Sequence, residues 1–221
     1  MRVGEYETNN VYCADSYKAI KQIPDNSIDC IYTDIPYLYC RGGGGTSELA
    51  ERTAKKRLEL MGASKKYIES AGTTRSEALR INQNAKRKGL DYCALDSGID
   101  YSIFDEFCRV LKKINIFIWC SKLQILDIMN YFVKEKKLFF EILTWHKTNP
   151  MPTTHGSWLP DTEYCLYFRD KGVVLNGGYE YKSKYYISAI NKRDKDKFQH
   201  PTCKPVPLIE QHLLHTTQPT I

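Results

Sequence analysis

Long apolar runs are lacking in this sequence of 221 residues, and no hydrophobic segment follows its first residues. A membrane-spanning helix needs about 20 consecutive apolar residues, and a signal peptide needs an apolar core behind a basic start. We therefore expect no membrane association and a cytoplasmic location. With 42% hydrophobic residues, the chain still has enough apolar material for the core of a single α/β domain.

Closely spaced cysteines are lacking as well, because none of the eight cysteines forms a Cys-x-x-Cys pair. Disulfide-rich secreted domains and zinc sites usually show such spacing. None of the five histidines has a partner at metal-ligand spacing either. We expect reduced thiols and no metal site.

A phosphate-binding glycine loop is also missing. The run Gly42-Gly43-Gly44-Gly45 is not followed by Gly-Lys-Ser/Thr, and no Gly-x-Gly-x-x-Gly opens a helix after a strand. This argues against a nucleotide-hydrolysing P-loop and a dinucleotide site. The run instead fits a hinge for the segment that follows it.

Basic charge is concentrated in that segment. Residues 41–90 hold 12 Lys or Arg against 5 Glu and no Asp, while the whole chain has a net charge of +6. A solvated helical insertion and a segment that contacts a phosphate backbone both fit this pattern. The residues expected to contact DNA there are Arg52, Lys55, Lys56, Arg57, Lys65 and Lys66.

A second basic stretch is interleaved with tyrosines between residues 169 and 199. Lys182 and Lys184 are its candidate DNA contacts. A β-hairpin packed by tyrosines is the structural alternative.

Strand-like and helix-like patterns alternate along the rest of the chain. This alternation predicts a mainly parallel sheet with helices on both faces and ligands at the carboxyl ends of its strands. The predicted strands are 11–14, 28–33, 114–120, 139–145 and 163–168, and the predicted helices are 15–23, 103–111 and 123–133. Asp15 and Asp34 both fall at carboxyl ends of strands.

The segment Ile31-Tyr32-Thr33-Asp34-Ile35-Pro36-Tyr37 reads as an apolar strand that ends in an acid, a stiff corner and an aromatic ring. At such a corner the Asp34 carboxylate and the Ile35 carbonyl can both accept hydrogen bonds from an amino group, and Tyr37 can stack on a nucleobase. An ordinary buried strand that closes on a turn fits these residues as well.

Two motifs in order strengthen the first interpretation. Pro24-Asp25-Asn26-Ser27-Ile28-Asp29 precedes the Asp34 to Tyr37 tetrapeptide, and His200-Pro201-Thr202-Cys203-Lys204-Pro205 lies far downstream. Together they resemble the permuted (beta-class) DNA amino-methyltransferases that use S-adenosylmethionine. The resemblance continues through 145–152 and 163–164 and covers most of the chain except 40–99. Where the family usually has proline, this sequence has Ile35.

The resemblance implies a Rossmann-like α/β methyltransferase sheet with helices on both faces. It implies a catalytic domain formed by residues 1–40 and 100–221, a basic insertion over 41–99 and a target-recognition segment over 169–199. It further implies S-adenosylmethionine as cofactor and double-stranded DNA as partner. Its catalytic residues would be Asp34, Ile35, Pro36 and Tyr37, and its cofactor-binding residues Asp15, His200, Thr202, Lys204 and Pro205. For Asp15, a plain helix cap is the alternative.

The resemblance also suggests the chemistry. Aspartate at position 34, rather than the serine common in cytosine-N4 enzymes of this class, favours methylation of adenine N6 as part of DNA restriction-modification. Methylation of cytosine C5 is not expected, since that reaction needs a cysteine nucleophile and the sequence has no Pro-Cys pair. A cytosine-N4 enzyme, a non-catalytic DNA-binding remnant and an RNA or protein amino-methyltransferase are the alternatives.

In the family the His-Pro-Thr motif is followed by a strand, a glycine-rich turn and a second strand, whereas this sequence stops at Ile221. We therefore expect a truncated form that lacks two central strands of the sheet. A homodimer or another polypeptide would then supply the missing part of the cofactor site.

Overall fold

The computed structural model describes residues 2–37, 99–150, 158–179, 182–190, 197 and 203–217. Residues 2–35 and the described residues from Ile99 onward form one compact unit, and Pro36 and Tyr37 belong to a second. Within these ranges no helix is long and apolar enough to cross a bilayer. The basic residues expected between 52 and 66, together with His200 and Thr202, lie outside the described residues.

In the described residues of the first unit, the longer elements are a small two-stranded ribbon, a five-stranded sheet and four α-helices. The strands are β1 (Arg2–Val3), β2 (Tyr6–Glu7), β3 (Ile31–Asp34), β4 (Asn115–Cys120), β5 (Phe139–Lys147), β6 (Thr162–Arg169) and β7 (Tyr185–Ser188). The helices are α1 (Ser16–Ala19), α2 (Ile103–Val110), α3 (Ile125–Met129) and α4 (Val206–Thr216). A 3₁₀ turn over Ile20–Gln22 extends α1, and a π-helical stretch over Asn130–Glu135 extends α3.

The strand order in the main sheet is β3-β4-β6-β5-β7. The pairs β3–β4 and β5–β7 are parallel, whereas β6 is antiparallel to both of its neighbours. The sheet is therefore mixed rather than mainly parallel. A parallel return from β5 to β6 would need a crossover, usually helical, and the prolines at 150, 152 and 160 disfavour a helix in this connection.

Strand β4 is buried along its whole length. Its alternating side chains place Ile116, Ile118 and Cys120 on one face of the sheet and Phe117 and Trp119 on the other. A continuous apolar strand of this kind requires cover on both sides. Both faces must therefore carry helices, as the sequence predicts.

Helices α2 and α3 cover the first face. Their buried side chains join the same hydrophobic cluster as Ile116 and Ile118 of β4 and Leu166 and Phe168 of β6. The buried members of this cluster from α2, α3 and the π-helical stretch are Ile103, Phe104, Phe107, Val110, Ile128 and Phe132.

Helix α4 covers the second face. The ring of His212 stacks on Phe117 with centroids 5.1 Å apart and an interplanar angle of 7°. At the end of the helix, the Thr216 carbonyl accepts a hydrogen bond from Nδ2 of Asn115, the first residue of β4, at 3.0 Å. The C-terminus of α4 therefore lies at the amino end of β4.

One predicted strand is wrong. Residues 11–14 form no strand, and the Val11 side chain is fully exposed. A strand requires a hydrogen-bonded neighbour. In the described part of the chain, β3 is an edge strand of the main sheet. Its only neighbour among the described strands is β4, and residues 11–14 pair with neither edge of the sheet.

His212 also forms part of a hydrogen-bonded relay beneath β3. The Trp119 indole donates to the Tyr32 hydroxyl at 2.9 Å, and Tyr32 Oη lies 3.1 Å from His212 Nδ1. Because the indole can only donate, Tyr32 accepts from it, and the tyrosine proton is left available for His212 Nδ1. Burial, and secondarily the nearby His215, lowers the pKa of His212 to about 4.

This neutral histidine predicts a loss of stability in mild acid. His212 takes up a proton near pH 6.5 in the unfolded chain but only near pH 4 in the folded chain. The contribution of His212 to the free energy of unfolding should therefore be constant above pH 6.5 and fall by on the order of 2–3 kcal/mol as the pH drops to 4. Urea denaturation of wild type and His212→Phe from pH 8 to pH 4 measures this effect. An equally steep fall in the variant would contradict the assignment.

Candidate active site at the carboxyl edge of the sheet

The corner after β3 combines an exposed acid with a buried anchor. Asp34 is the last residue of β3, and 43% of its side chain is exposed. Ile35 is only 5% exposed and belongs to the core cluster beneath the sheet. Its backbone N–H donates to the Trp119 carbonyl at 3.3 Å, a bond that proline cannot make. The packed Ile35 side chain and its backbone hydrogen bond therefore fix this corner, where the family resemblance predicts a proline ring.

Charged residues from three strands meet at this edge. Since β3 and β4 are parallel, the carboxyl end of β3 at Asp34 lies beside Trp119 of β4. Since β6 runs in the opposite direction, it contributes its beginning, with Glu163, at the same edge. Strand β5 returns to this edge and ends at Lys147. The reversal of β6 thus brings Glu163 to the end of the sheet where Asp34 lies.

Lys204 links these side chains. Its Nζ lies 2.8 Å from Asp34 Oδ2 and 3.0 Å from Glu163 Oε2, and 5.1 Å from the centre of the Trp119 ring. Glu163 also pairs with Lys147 through Oε1 at 2.5 Å. We call Asp34, Lys204, Glu163 and Lys147 the Asp34 charge cluster. Two carboxylates and two ammonium groups alternate in it, so the cluster is electrically balanced.

Both inner members of the cluster are charged at neutral pH. Burial alone would raise the pKa of Glu163, but the ammonium groups of Lys204 and Lys147 outweigh it and hold that pKa below its usual range. Burial would lower the pKa of Lys204, but the carboxylates of Asp34 and Glu163 outweigh it and raise that pKa. Opposite charges at hydrogen-bond distance favour both ionised forms.

The structure brings together two of the predicted site residues, Asp34 and Lys204, which are 170 positions apart in the chain. Pro205 is the N-cap of α4. Asp15 is the N-cap of α1, and its Oδ1 accepts hydrogen bonds from the backbone N–H groups of residues 17 and 18. Pro36 and Tyr37 follow Ile35 directly in the chain.

The two predicted DNA contacts that are described lie beside β7. Lys184 pairs with Glu141 of β5 through Oε2, and the Lys184 carbonyl accepts a hydrogen bond from Thr144 N–H. Lys182 is exposed. Tyr185 and Tyr179, on either side of these lysines, are exposed aromatic residues.

Glu163 and Lys147 are the site residues that sequence reasoning missed. Both lie within stretches that carry the family resemblance, but neither has a recognisable motif around it. The available signal was charge at the end of an apolar strand: Glu163 stands close to the run from Cys165 to Phe168, whose four members are buried. A buried carboxylate normally requires a paired cation.

Comparison with known proteins gives a consistent result. The family profile described as DNA methylase (N6_N4_Mtase) matches residues 28–220. The chain is 23% identical over 226 positions to the Type II methyltransferase M2.MboI of Moraxella bovis, with 95% of this chain and 71% of that protein covered. It is also 23% identical over 231 positions to the Type II methyltransferase M2.LlaDCHI of Lactococcus lactis subsp. cremoris, covering 96% of this chain and 75% of the relative.

Among solved structures, the chain resembles two crystal structures of M1.HpyAVI, one of which is a SAM complex. The complex gives a TM-score of 0.49 at 22% identity, with 94% of this chain and 76% of the other covered. The second structure gives a TM-score of 0.49 at 20% identity, with 94% and 75% covered.

The buried anchor of the corner can be tested by truncation. Ile35→Ala removes a packed side chain from the core and should lower the free energy of unfolding by about 2–4 kcal/mol. Ile187→Ala, at an exposed position of β7, is the matched control and should change it by less than about 0.5 kcal/mol. Urea denaturation at neutral pH measures both. Equal small effects would show that Ile35 does not anchor the corner.

Proposed function

Because the chain belongs to the N6_N4_Mtase family of DNA methylases, we propose that it transfers a methyl group from S-adenosylmethionine to N6 of adenine in double-stranded DNA. The observation that carries this proposal is the exposed Asp34 carboxylate at the carboxyl end of β3, with a buried cation bound to one of its oxygens.

Recognition of the base follows from the corner itself. In the proposed complex, adenine is flipped out of the duplex and its amino group donates hydrogen bonds to the Asp34 carboxylate and the Ile35 carbonyl. These acceptors draw the nitrogen lone pair out of conjugation with the ring and stabilise the positive charge that develops on nitrogen. Tyr37 stacks on the base, and Pro36 stiffens the backbone between Ile35 and Tyr37.

The residues at this edge fit the amino-acid end of S-adenosylmethionine, which carries a carboxylate and an ammonium group. The N-terminus of α4 at Pro205 is a favourable place for that carboxylate. When bound, the cofactor supplies a methyl group on a positively charged sulfur. His200, Thr202 and Pro205 would hold its methionine end, and Asp15 would hold its adenosine. Lys204, which the resemblance also places at the methionine end, is paired with Asp34 and Glu163.

DNA contact is assigned to the two basic stretches. The segment over 41–99 would follow the phosphate backbone through its lysines and arginines, which act without regard to base sequence. Lys182 and Lys184, with the exposed Tyr179 and Tyr185, support a DNA-facing surface next to β7. Because the two relatives are Type II methyltransferases, we assign the activity to a restriction-modification system. A homodimer or a complex with another polypeptide is part of this proposal.

Product analysis tests the reaction. The full chain is incubated with methyl-labelled S-adenosylmethionine and DNA from a methylation-deficient bacterium, and the DNA is then digested to nucleosides. We expect label in N6-methyladenine. Label in N4-methylcytosine would overturn the choice of base, and label in RNA or protein but not in DNA would overturn the substrate. DNA binding without any transfer would instead identify a non-catalytic remnant.

Asp34→Asn is the accompanying variant. It keeps the size of the side chain but replaces one carboxylate oxygen by a hydrogen-bond donor, which opposes the amino group of adenine. The rate of methyl transfer should fall by at least about 100-fold while the protein stays folded. Asp29→Asn, an exposed acid paired with Lys112 near the opposite end of β3, is the control and should retain its activity. Equal activity of the two variants would contradict the role of Asp34.

The DNA surface beside β7 predicts a salt effect. The double variant Lys182→Ala with Lys184→Ala should bind duplex DNA more weakly, and the slope of log K against log salt should become shallower by about 0.9 for each phosphate that the protein no longer neutralises. Lys134→Ala with Lys136→Ala, at the end of the α3 extension, is the matched control and should leave the slope unchanged. Fluorescence anisotropy between about 50 and 200 mM salt, the range in which such slopes are measured, decides between the two outcomes.

A further inference from the structure

Lys204 contacts Asp34, the proposed amino-group acceptor, and Glu163 contacts Lys204. We propose that Lys204 is a positioning residue that orients the Asp34 carboxylate toward the substrate amino group, and that Glu163 holds Lys204 in place. This inference rests on the proposed function and deepens it, since it assigns parts of the site to base recognition rather than to the cofactor.

The first observation is which oxygen of Asp34 is occupied. Lys204 Nζ binds Oδ2 at 2.8 Å, and the described residues give Oδ1 no partner. Rotation of a carboxylate about its terminal torsion is broad and weakly restrained in an exposed aspartate. An ammonium group fixed on Oδ2 restricts that rotation and presents Oδ1 in one direction. The Asp34 side chain is thus pre-organised although it is 43% exposed.

The second observation is the unequal burial of the pair. Only 7% of the Lys204 side chain is exposed, so Lys204 is the fixed member and Asp34 the accessible one. Burying an ammonium group is costly unless its charge is paired and its donors are used. Glu163, near the start of β6, meets this need at 3.0 Å. Lys147 in turn binds the second oxygen of Glu163.

The third observation separates this role from cofactor binding. An ammonium group has three donors, and carboxylates at hydrogen-bond distance take two of those on Lys204. Its positive charge is already balanced by two carboxylates inside the protein. A lysine that served chiefly to attract the cofactor carboxylate would gain little from this arrangement. A lysine that orients the Asp34 carboxylate requires this pairing with two carboxylates.

The test separates turnover from cofactor affinity. Lys204→Met keeps much of the length of the side chain and removes the charge. We expect kcat for DNA methylation to fall by about 10- to 100-fold, as for other displaced catalytic groups, while the Kd for S-adenosylmethionine, measured by calorimetry, stays within about twofold. Lys204→Arg keeps a cation on Oδ2 and should recover part of kcat.

Glu163→Gln tests the support of Lys204 without removing the cation from Asp34. It should lower kcat in the same direction, again with an unchanged Kd for the cofactor. Lys112→Met breaks a Lys–Asp pair of the same length, 2.8 Å, at Asp29 away from the site and is the control. Thermal melting of each variant confirms folding, and if Lys204→Met does not fold, Glu163→Gln and Lys204→Arg carry the test.

The outcomes distinguish the two levels of inference. An active wild type with unchanged kcat in Lys204→Met and Glu163→Gln would overturn the positioning role alone. A Kd for S-adenosylmethionine that rises at least about tenfold in Lys204→Met with unchanged kcat would also overturn it and return Lys204 to the cofactor. A wild type that methylates neither adenine nor cytosine would overturn the proposed function and the positioning role together.

Discussion

The ion pairs of one buried lysine hold the edge of this sheet together. Lys204 Nζ binds Asp34 at the end of β3 and Glu163 at the start of β6, and Lys204 itself stands immediately before the N-cap of α4. Three elements from distant parts of the chain therefore meet on one ammonium group. Removing either carboxylate would leave the buried ammonium group of Lys204 short of a counter-charge, and this cost disfavours other arrangements of the three elements. The hydrophobic layers on both faces bring these elements near each other, and the ion pairs of Lys204 fix the relative positions of their ends.

The mixed topology of the sheet gives the site its composition. In a fully parallel sheet, the carboxyl edge would receive only the ends of strands. Here the reversed β6 brings a strand beginning to the same edge, and with it Glu163. Helix α4 spans the sheet from this edge to Asn115, so its positive N-terminus is directed at the charged residues and its C-terminal carbonyl is capped by Nδ2 of that asparagine. The relay of Trp119, Tyr32 and His212 fixes the helix between these two points.

The local sequence pattern was enough to predict much of the fold and the position of the candidate site. The α/β class, the helices on both faces, the buried β4 and the Asp34 corner all follow from periodicity and motif, because each depends on neighbours in sequence. The strand over residues 11–14 was wrong because pairing decides whether an extended segment becomes a strand. The sequence did not predict the direction of β6 or the pairing of Glu163 with Lys147, for a similar reason. Which charges meet at the ends of strands depends on the direction and register of strands that are far apart in sequence. The resemblance expected proline at position 35, and there a buried isoleucine holds the corner by packing.

The 170-residue separation of Asp34 from Lys204 has a consequence for biosynthesis. At about 5–20 residues per second, a ribosome needs roughly 10 to 30 s to make the intervening chain. During that interval β3 and its acid already exist, but their counter-charge does not. The Asp34 charge cluster of the nascent protein therefore stays incomplete until Lys204 and helix α4 emerge and dock, so the order of synthesis leaves the Asp34 carboxylate without its buried cation until late in translation.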